Sequence, residues 1–214
     1  HESIMLNKYV RSSDGKELFG LTKGLYIKDK SGSVKPAMTG IGVNDIAEVG
    51  NTWFIGTSSG LGVLKNGRKI SMHPSFKNTN IQTLFYDKET EKLLIGTFIE
   101  GLRLMDMSTQ KVSHIHSGID IFTNPIRSIL KLNANMMAIG IDGSGIYTLD
   151  LRNNKVELLI NSEDNNSYSL HGNGIYALLK DRQGNLWAGS YTGGVSLIAL
   201  TDSPLQLITH ERGN

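Results

Sequence analysis

Five repeats of about 40 residues, each built from short apolar runs around a pair of glycines, predict an all-β fold. The first glycine of each pair closes an apolar run, and successive first glycines are 36, 40, 44 and 49 residues apart. The second glycine follows four or five residues later, and an aliphatic residue comes next. This period predicts one four-stranded antiparallel blade per repeat, and therefore a β-propeller. The pairs are Gly20 and Gly24, Gly56 and Gly60, Gly96 and Gly101, Gly140 and Gly145, and Gly189 and Gly194.

Each repeat divides into four strands of four to six residues, rich in Ile, Leu, Val and Tyr and separated by Gly, Asn, Asp and Ser. We therefore expect no helix. In the fifth repeat the predicted strands are Ile175–Leu179, Leu186–Ser190, Val195–Leu200 and Leu205–Thr209. The residues between Gly189 and Gly194 are predicted to reverse the chain as a hairpin turn.

The repeats together predict one partial propeller over residues 1–214. We expect the C-terminus to be a cut inside a longer array, and the exposed faces at both ends to be covered by missing chain or by a neighbouring molecule. A closed ring of five blades would contradict this expectation. The repeats span about residues 4–38, 41–72, 81–116, 126–160 and 175–210.

Composition excludes several classes of function. The 22 basic and 20 acidic residues are scattered and give a net charge of +2, so we expect no nucleic-acid partner. Disulfides, thiolate metal sites and a cysteine nucleophile are excluded because the chain has no cysteine. Apolar runs of about six residues are far shorter than the roughly 20 that a membrane-spanning helix needs.

The fifth repeat resembles a known family. Residues 181–195 read Asp-x-x-Gly-Asn-Leu-Trp-Ala-Gly-Ser-x-x-Gly-Gly-Val, which is similar to the two-component-regulator propeller repeat. Ser169-Leu170 followed by Asn173-x-Ile175 resembles the usual lead-in of that repeat. The other four copies are looser: the motif's aromatic position, Trp187 here, is Leu18, Phe54, Leu94 and Ala138 in them.

This resemblance implies a seven-bladed propeller in the periplasmic sensor region of a hybrid two-component histidine kinase of the Bacteroidetes type, in an inner-membrane protein. Many such sensors detect oligosaccharides and regulate polysaccharide-utilisation genes. The resemblance also implies an oligosaccharide ligand, the remaining propeller and sensor domains as partners, and a homodimer at full length. For this fragment we expect no catalysis, no cofactor and no metal.

Candidate ligand-binding residues lie in two places of the predicted blade. One is the first strand, which lies closest to the central channel of a propeller, where alignment puts a polar residue at one equivalent position. These residues could hydrogen-bond a sugar, or could simply solvate a water-filled channel. They are Asn44, Gln82, Arg127 and Tyr176.

The turn between the second and third strands is the other place, and it is expected at the same mouth of the channel. Phe98 and Tyr191 could stack on a sugar face, Glu100 and Asp142 could accept hydroxyl hydrogen bonds, and Thr192 varies freely beside Tyr191. These turns could equally pack against another domain or subunit.

Two weaker patterns carry alternative chemistry. His114-x-His116 with Asp120 could begin a metal site, but further ligands are missing from the pattern, and solvated edge-strand histidines explain it better. Carboxylates such as Glu100, Asp142 and Glu163 could pair as in a glycosidase, although nothing selects them.

The sequence therefore favours a non-catalytic ligand-sensing propeller that signals to a kinase outside this fragment. Two alternatives stay open: a propeller enzyme, either a polysaccharide lyase or a glycoside hydrolase, and a scaffold for protein interactions.

Overall fold

A computed structural model describes residues 3–67, 69–115, 123–162 and 169–200, and the backbone of residues 206–208. These residues form five four-stranded antiparallel sheets, each with its strands in chain order. The predicted all-β class and the five four-stranded blades are thus confirmed. The chain divides into two compact units, His1–His114 with the first three sheets and Ile115–Asn214 with the last two.

The first unit holds twelve strands. Its first sheet contains β1 (Leu6–Arg11), β2 (Glu17–Leu21), β3 (Gly24–Lys28) and β4 (Val34–Thr39). Its second sheet contains β5 (Val43–Val49), β6 (Thr52–Thr57), β7 (Gly60–Lys65) and β8 (Ile70–Met72). Its third sheet contains β9 (Ile81–Asp87), β10 (Lys92–Thr97), β11 (Leu102–Asp106) and β12 (Val112–His114).

The second unit holds eight strands. Its fourth sheet contains β13 (Ile126–Lys131), β14 (Met136–Ile141), β15 (Gly145–Asp150) and β16 (Lys155–Ile160). The fifth contains β17 (Ile175–Lys180), β18 (Leu186–Ser190), β19 (Gly194–Ala199) and β20 (Gln206–Ile208). The bounds of β18 are those the sequence predicts, and the other predicted strand ends of this sheet differ by at most one residue.

The expectation of a chain without helix is wrong, because Pro74–Phe76 form a 3₁₀ turn. Proline opens this turn, and the imidazole Nδ1 of His73 accepts a hydrogen bond from the backbone N–H of Ser75 at 3.3 Å. The turn inserts the buried ring of Phe76 into the core between the second and third sheets.

The second glycine of each pair is required by the backbone. Gly60 and Gly145 open β7 and β15 with φ values of +145° and +92°, a region that side-chain-bearing residues rarely adopt. A Cβ on Gly60 would also lie 2.8 Å from the carbonyl oxygen of Phe76. The hairpin turn that the sequence predicts therefore depends on glycine at its last position.

In the first, second and fourth pairs the first glycine is required for a different reason, which is space beside the following sheet. A Cβ on Gly20 would lie 2.7 Å from Cγ1 of Val43, and one on Gly56 would lie 2.8 Å from Cγ2 of Ile81. Val43 and Ile81 each begin the first strand of the next sheet. The glycine thus leaves a recess into which a β-branched residue of the next sheet fits.

Apolar side chains between neighbouring sheets form the core of each unit. Leu18 and Leu25 of the first sheet pack with Ile46, Trp53 and Ile55 of the second. The remaining buried clusters lie between the second and third sheets and between the fourth and fifth. The second sheet therefore buries its two faces against different neighbours, as expected of stacked blades.

The buried carboxylate of Asp45 contacts all three sheets of the first unit. The carboxylate of Asp45, on β5, accepts a hydrogen bond from the backbone N–H of Leu84 at 2.8 Å and from the hydroxyl of Thr83 at 3.2 Å. Lys8 of the first sheet pairs with the same carboxylate at 2.7 Å. Asp45 therefore joins all three sheets of this unit.

Candidate functional site

A β-bulge in the first strand of every sheet sets the position of the candidate site. In β13 the pairing with β14 skips one residue between Ile126 and Ser128, and in β17 it skips one between Ile175 and Ala177. A bulge leaves its extra residue unpaired and re-aims the side chain. The five bulge residues are Asn7, Asn44, Gln82, Arg127 and Tyr176.

Four of these bulge residues are the ones that sequence alignment selects, and Asn7 is the one it misses. In the structure Asn7 follows the exposed Leu6, whereas Asn44 follows the buried Val43. The spacing to the first glycine would have found it, because all five bulge residues lie 12 to 14 positions before that glycine.

Two of the bulge residues connect sheets within the first unit. The amide of Asn7 donates to the carbonyl of Val43 at 2.9 Å, and that of Asn44 donates to the carbonyl of Ile81 at 2.7 Å. Asn44 and Gln82 also both donate to the side-chain oxygen of Asn80, at 3.2 and 2.7 Å. The side chains of Asn7 and Asn44 therefore link neighbouring sheets.

A backbone hydrogen bond brings the turn between the second and third strands to the same edge as the bulge. In the fifth sheet the N–H of Tyr191 donates to the carbonyl of Gly174 at 2.9 Å, and in the fourth that of Asp142 donates to Pro125 at 2.9 Å. Equivalent bonds occur in the other three sheets. Bulge and turn side chains of one sheet consequently project from one edge.

Arg127, Asp142, Tyr176 and Tyr191 form a contiguous cluster in the second unit, which we call the tyrosine platform. The guanidinium of Arg127 donates to Oδ2 of Asp142 through Nη2 at 3.0 Å and Nε at 3.2 Å. The hydroxyl of Tyr176 donates to the same oxygen at 3.1 Å. The structure thus brings together four residues that the sequence selects from two places in the blade.

The aromatic rings of the platform are stacked and open to solvent. The ring centroids of Tyr176 and Tyr191 lie 5.5 Å apart at an interplanar angle of 29°. Arg127 covers the ring of Tyr176, with its guanidinium carbon 4.7 Å from the centroid, as in a cation–π contact. Tyr191 is 78% exposed and Tyr176 is 42% exposed, so a ligand can reach both rings.

One carboxylate oxygen of the platform, Oδ1 of Asp142, accepts no hydrogen bond from the described residues. Partial desolvation, followed by the hydrogen bond to Asp142, raises the pKa of the Tyr176 phenol, which therefore stays a neutral donor at physiological pH. All three hydrogen bonds that Asp142 accepts from described residues end on Oδ2. Its other oxygen, Oδ1, lies beside Gly174, where a Cβ would come within 3.1 Å. Glycine therefore keeps the approach to Oδ1 open.

The remaining predicted site residues are placed differently. In the first unit Glu100 accepts from Arg103 at 2.8 Å and from the hydroxyl of Thr79 at 3.1 Å, so its carboxylate is held against its own sheet. Phe98 is partly exposed in the same turn. Thr192 is exposed next to Tyr191 in the second unit.

Two sequence patterns lie outside the described residues in part. His116 and Asp120 of the histidine pattern, and Glu163 of the carboxylate set, are among them. Within the described part of the chain, no three His, Cys, Asp or Glu side chains are grouped to hold a metal ion. Nor do the described residues include a helix long and apolar enough to cross a membrane.

Comparison with known protein families gives a match in the fifth repeat. Residues 169–192 match the family model described as two component regulator propeller. This match covers β17 and β18 of the fifth sheet. The matched segment ends on Tyr191 and Thr192, so the residues that the fifth sheet supplies to the tyrosine platform lie within it. A search of curated proteins finds no match.

Solved structures extend the similarity to the whole chain. One is the extracellular domain of a hybrid two component system from B. thetaiotaomicron, with a TM-score of 0.75 and 18% identity over 94% of this chain and 29% of that one. Another, the extracellular domain of a one component system from the same organism, has a TM-score of 0.75 and 22% identity over 90% and 27% of the two chains. The present chain thus spans less than a third of these relatives, and at this identity the similarity establishes the propeller fold.

Proposed function

We propose that this chain is part of an extracytoplasmic, non-catalytic sensor propeller of a two-component system, and that it detects an oligosaccharide. Two findings support the sensor role: the regulator-propeller repeat at residues 169–192, and the likeness in fold to extracellular domains of such systems. In this proposal the kinase lies elsewhere in a longer periplasmic and membrane protein.

The tyrosine platform is the observation that supports an oligosaccharide as the ligand. A sugar ring has an apolar C–H face and hydroxyl groups around its rim, so it needs a flat aromatic surface beside a hydrogen-bond acceptor. The exposed ring of Tyr191 supplies the surface, and Oδ1 of Asp142 supplies the acceptor. Stacking on Tyr176 holds the Tyr191 ring in place before a ligand arrives, which lowers the entropy cost of binding.

Asp142 is better suited to binding than to catalysis. Its Oδ2 accepts hydrogen bonds from both Arg127 and Tyr176, so this oxygen is engaged within the platform and is not free to act on a substrate. For signalling, a ligand that prefers one arrangement of the sensor by about 1–3 kcal/mol would be sufficient.

Isothermal titration calorimetry of the chain against a panel of plant and host oligosaccharides tests this proposal. We expect one glycan class to bind, Tyr191→Ala to abolish binding, and Asp142→Asn to weaken it with the fold retained. Tyr9→Ala removes another exposed tyrosine, on the first sheet, and serves as the matched control that keeps full affinity.

The same samples separate the alternatives. Release of reducing ends or unsaturated products from a bound glycan would contradict a non-catalytic sensor and favour a propeller enzyme. Failure of every glycan to bind, combined with tight binding to a protein, would favour an interaction scaffold.

A further inference from the structure

A groove lies between the first and second sheets, at the edge opposite the β-bulges of these sheets. It has a volume of about 470 Å³, which is within the range of about 300–1,000 Å³ usual for small-molecule sites. The turns from β3 to β4 and from β7 to β8 flank it. A smaller cavity of about 230 Å³ adjoins the groove and shares four lining residues with it. We call the larger cavity the lysine groove.

The floor of the lysine groove is apolar. Ile27 of β3, Ala37 of β4 and Ile70 of β8 line it, and all three are only partly buried against the core between the two sheets. Leu64 of β7 pairs with Ile70 across the second sheet and completes the floor. An apolar group placed here would remove both its own surface and this floor from water.

Three lysines surround this floor. Lys16 lies at the start of β2, Lys35 lies on β4 and Lys69 comes directly before β8. Lys35 is paired with Ile27 in the strand register, so the two side chains share one face of the first sheet. Lys16 is neutralised by Asp14 at 2.5 Å. The other two lysines form no ion pair with any residue that the structure describes.

The carboxylates nearest the groove are engaged by the turns that carry them. Oδ1 of Asp29 accepts hydrogen bonds from the backbone N–H groups of Ser31 and Ser33, at 2.9 and 3.0 Å. Glu48, beside the smaller cavity, accepts from the backbone N–H and the hydroxyl of Ser13, at 3.1 and 2.7 Å. These acids stabilise their own turns and leave the two lysines available to an incoming anion.

The corresponding groove between the second and third sheets has a different charge. Its volume is about 420 Å³, and Phe54, Tyr86 and Met107 supply apolar lining as in the first groove. Its charged lining residues are one lysine, Lys65, and one glutamate, Glu91. Two sheets that pack together therefore leave a groove of this size without a cluster of lysines, and the lysines are particular to the first groove.

We propose that the lysine groove is a second ligand site, which binds a small organic anion with an apolar body, such as an aromatic carboxylate. The apolar body covers Ile27, Leu64 and Ile70, and the anionic group pairs with Lys35 and Lys69 at the rim. Hydrogen bonds between ionised groups are stronger than those between neutral groups, and a low local dielectric strengthens them further. A sugar suits this groove less well, because none of the described lining residues offers an aromatic ring for stacking.

Isothermal titration calorimetry of the 214-residue chain with naphthoate tests this proposal. Two further probes separate the contributions: naphthylmethanol keeps the rings without the charge, and acetate keeps the carboxylate without the apolar body. We expect naphthoate to bind at a single site, and both other probes to bind at least about tenfold more weakly.

Two variants locate the binding. Lys35→Gln combined with Lys69→Gln removes both charges but keeps long polar side chains at exposed positions, so the fold should be retained. We expect this double variant to bind naphthoate at least about tenfold more weakly than wild type. Lys65→Gln, in the corresponding groove, is the matched control and should leave the affinity unchanged.

Several results would overturn the proposal. They are the absence of naphthoate binding, equal affinity for naphthylmethanol, and an unchanged affinity in the double variant. Acetate binding as tightly as naphthoate would show an anion contact with surface lysines alone. Loss of naphthoate binding in Tyr191→Ala would place the probe on the tyrosine platform instead. The double variant should still bind glycan, so the lysine groove and the sensor function can fail separately.

Discussion

Gly140 and Gly189 occupy equivalent places in neighbouring sheets, yet alanine should affect them in opposite directions. At Gly140 the new Cβ would lie 2.7 Å from Cγ2 of Ile175 and closer still to the hydroxyl of Ser128. Ile175 is fully buried and its β-branched side chain is stiff, so it cannot move aside cheaply. At Gly189 the nearest atom is 3.7 Å away, an ordinary contact distance.

The magnitudes follow from two opposing effects. Alanine in a strand interior gains about 0.5–1 kcal/mol over glycine because it loses less backbone entropy on folding. Overpacking a filled core costs about 1–3 kcal/mol. We therefore expect Gly189→Ala to stabilise the second unit by about 0.5–1 kcal/mol. Gly140→Ala should destabilise it by about 1 kcal/mol, which is near the middle of the range of about 0–2.5 kcal/mol that remains after the gain is subtracted.

Urea unfolding, followed by circular dichroism at constant m-value, measures both changes within one unit. Gly56→Ala repeats the unfavourable case in the first unit, since its Cβ would lie 2.8 Å from Cγ2 of Ile81. Equal free-energy changes at Gly140 and Gly189 would refute the argument, because they would mean that backbone entropy alone explains the repeated glycine.

Three further predictions concern charges and hydrogen bonds of the first unit. Asp45→Ala leaves the buried N–H of Leu84 without its acceptor, which should cost about 1–3 kcal/mol in urea unfolding, with Asp45→Asn recovering part of it. Asn44→Ala removes a hydrogen bond between two sheets and should cost about 1 kcal/mol in the same assay. Hydrogen bonds from Ser108 and its neighbour lower the pKa of Asp106 to about 2. This carboxylate stabilises the fold fully above its unfolded pKa near 3.8, and the contribution is lost as the pH falls towards about 2, so Asp106→Asn should flatten that part of the melting-temperature profile.

The fold was largely predictable because each repeat carries its own local signals. The glycine pairs, the apolar runs and the turn residues at Asp181–Asn185 are all short-range features, and they place β18 and β19 to within one residue. What the pattern could not reveal is why the first glycine recurs. Its neighbour is Ile175 or its equivalent in another repeat, and such a contact exists only after sheets stack.

The sequence predicted which residues belong to the candidate site, but it did not predict which of them contact each other. Alignment selects Arg127 and Tyr176, and turn exposure selects Asp142 and Tyr191, without indicating that residues from two sheets meet. The bulges that re-aim Arg127 and Tyr176 depend on strand register, which pairing decides rather than local preference. The sequence also predicts Asn44 and Tyr176 as equivalent ligand-binding residues. In the structure, however, the amide of Asn44 donates a hydrogen bond to the backbone of the adjoining sheet.

The recess formed by the first glycine also gives the stacking of sheets a direction. Each interface has one side with a hole and one side with a β-branched knob, as with Gly140 and Ile175. Two hole-bearing faces brought together would leave both recesses empty, so accidental two-fold pairing of exposed sheet faces gains less contact than head-to-tail addition. A single missing side chain thereby gives these interfaces a polarity, with the glycine on the earlier sheet and the β-branched residue on the later one.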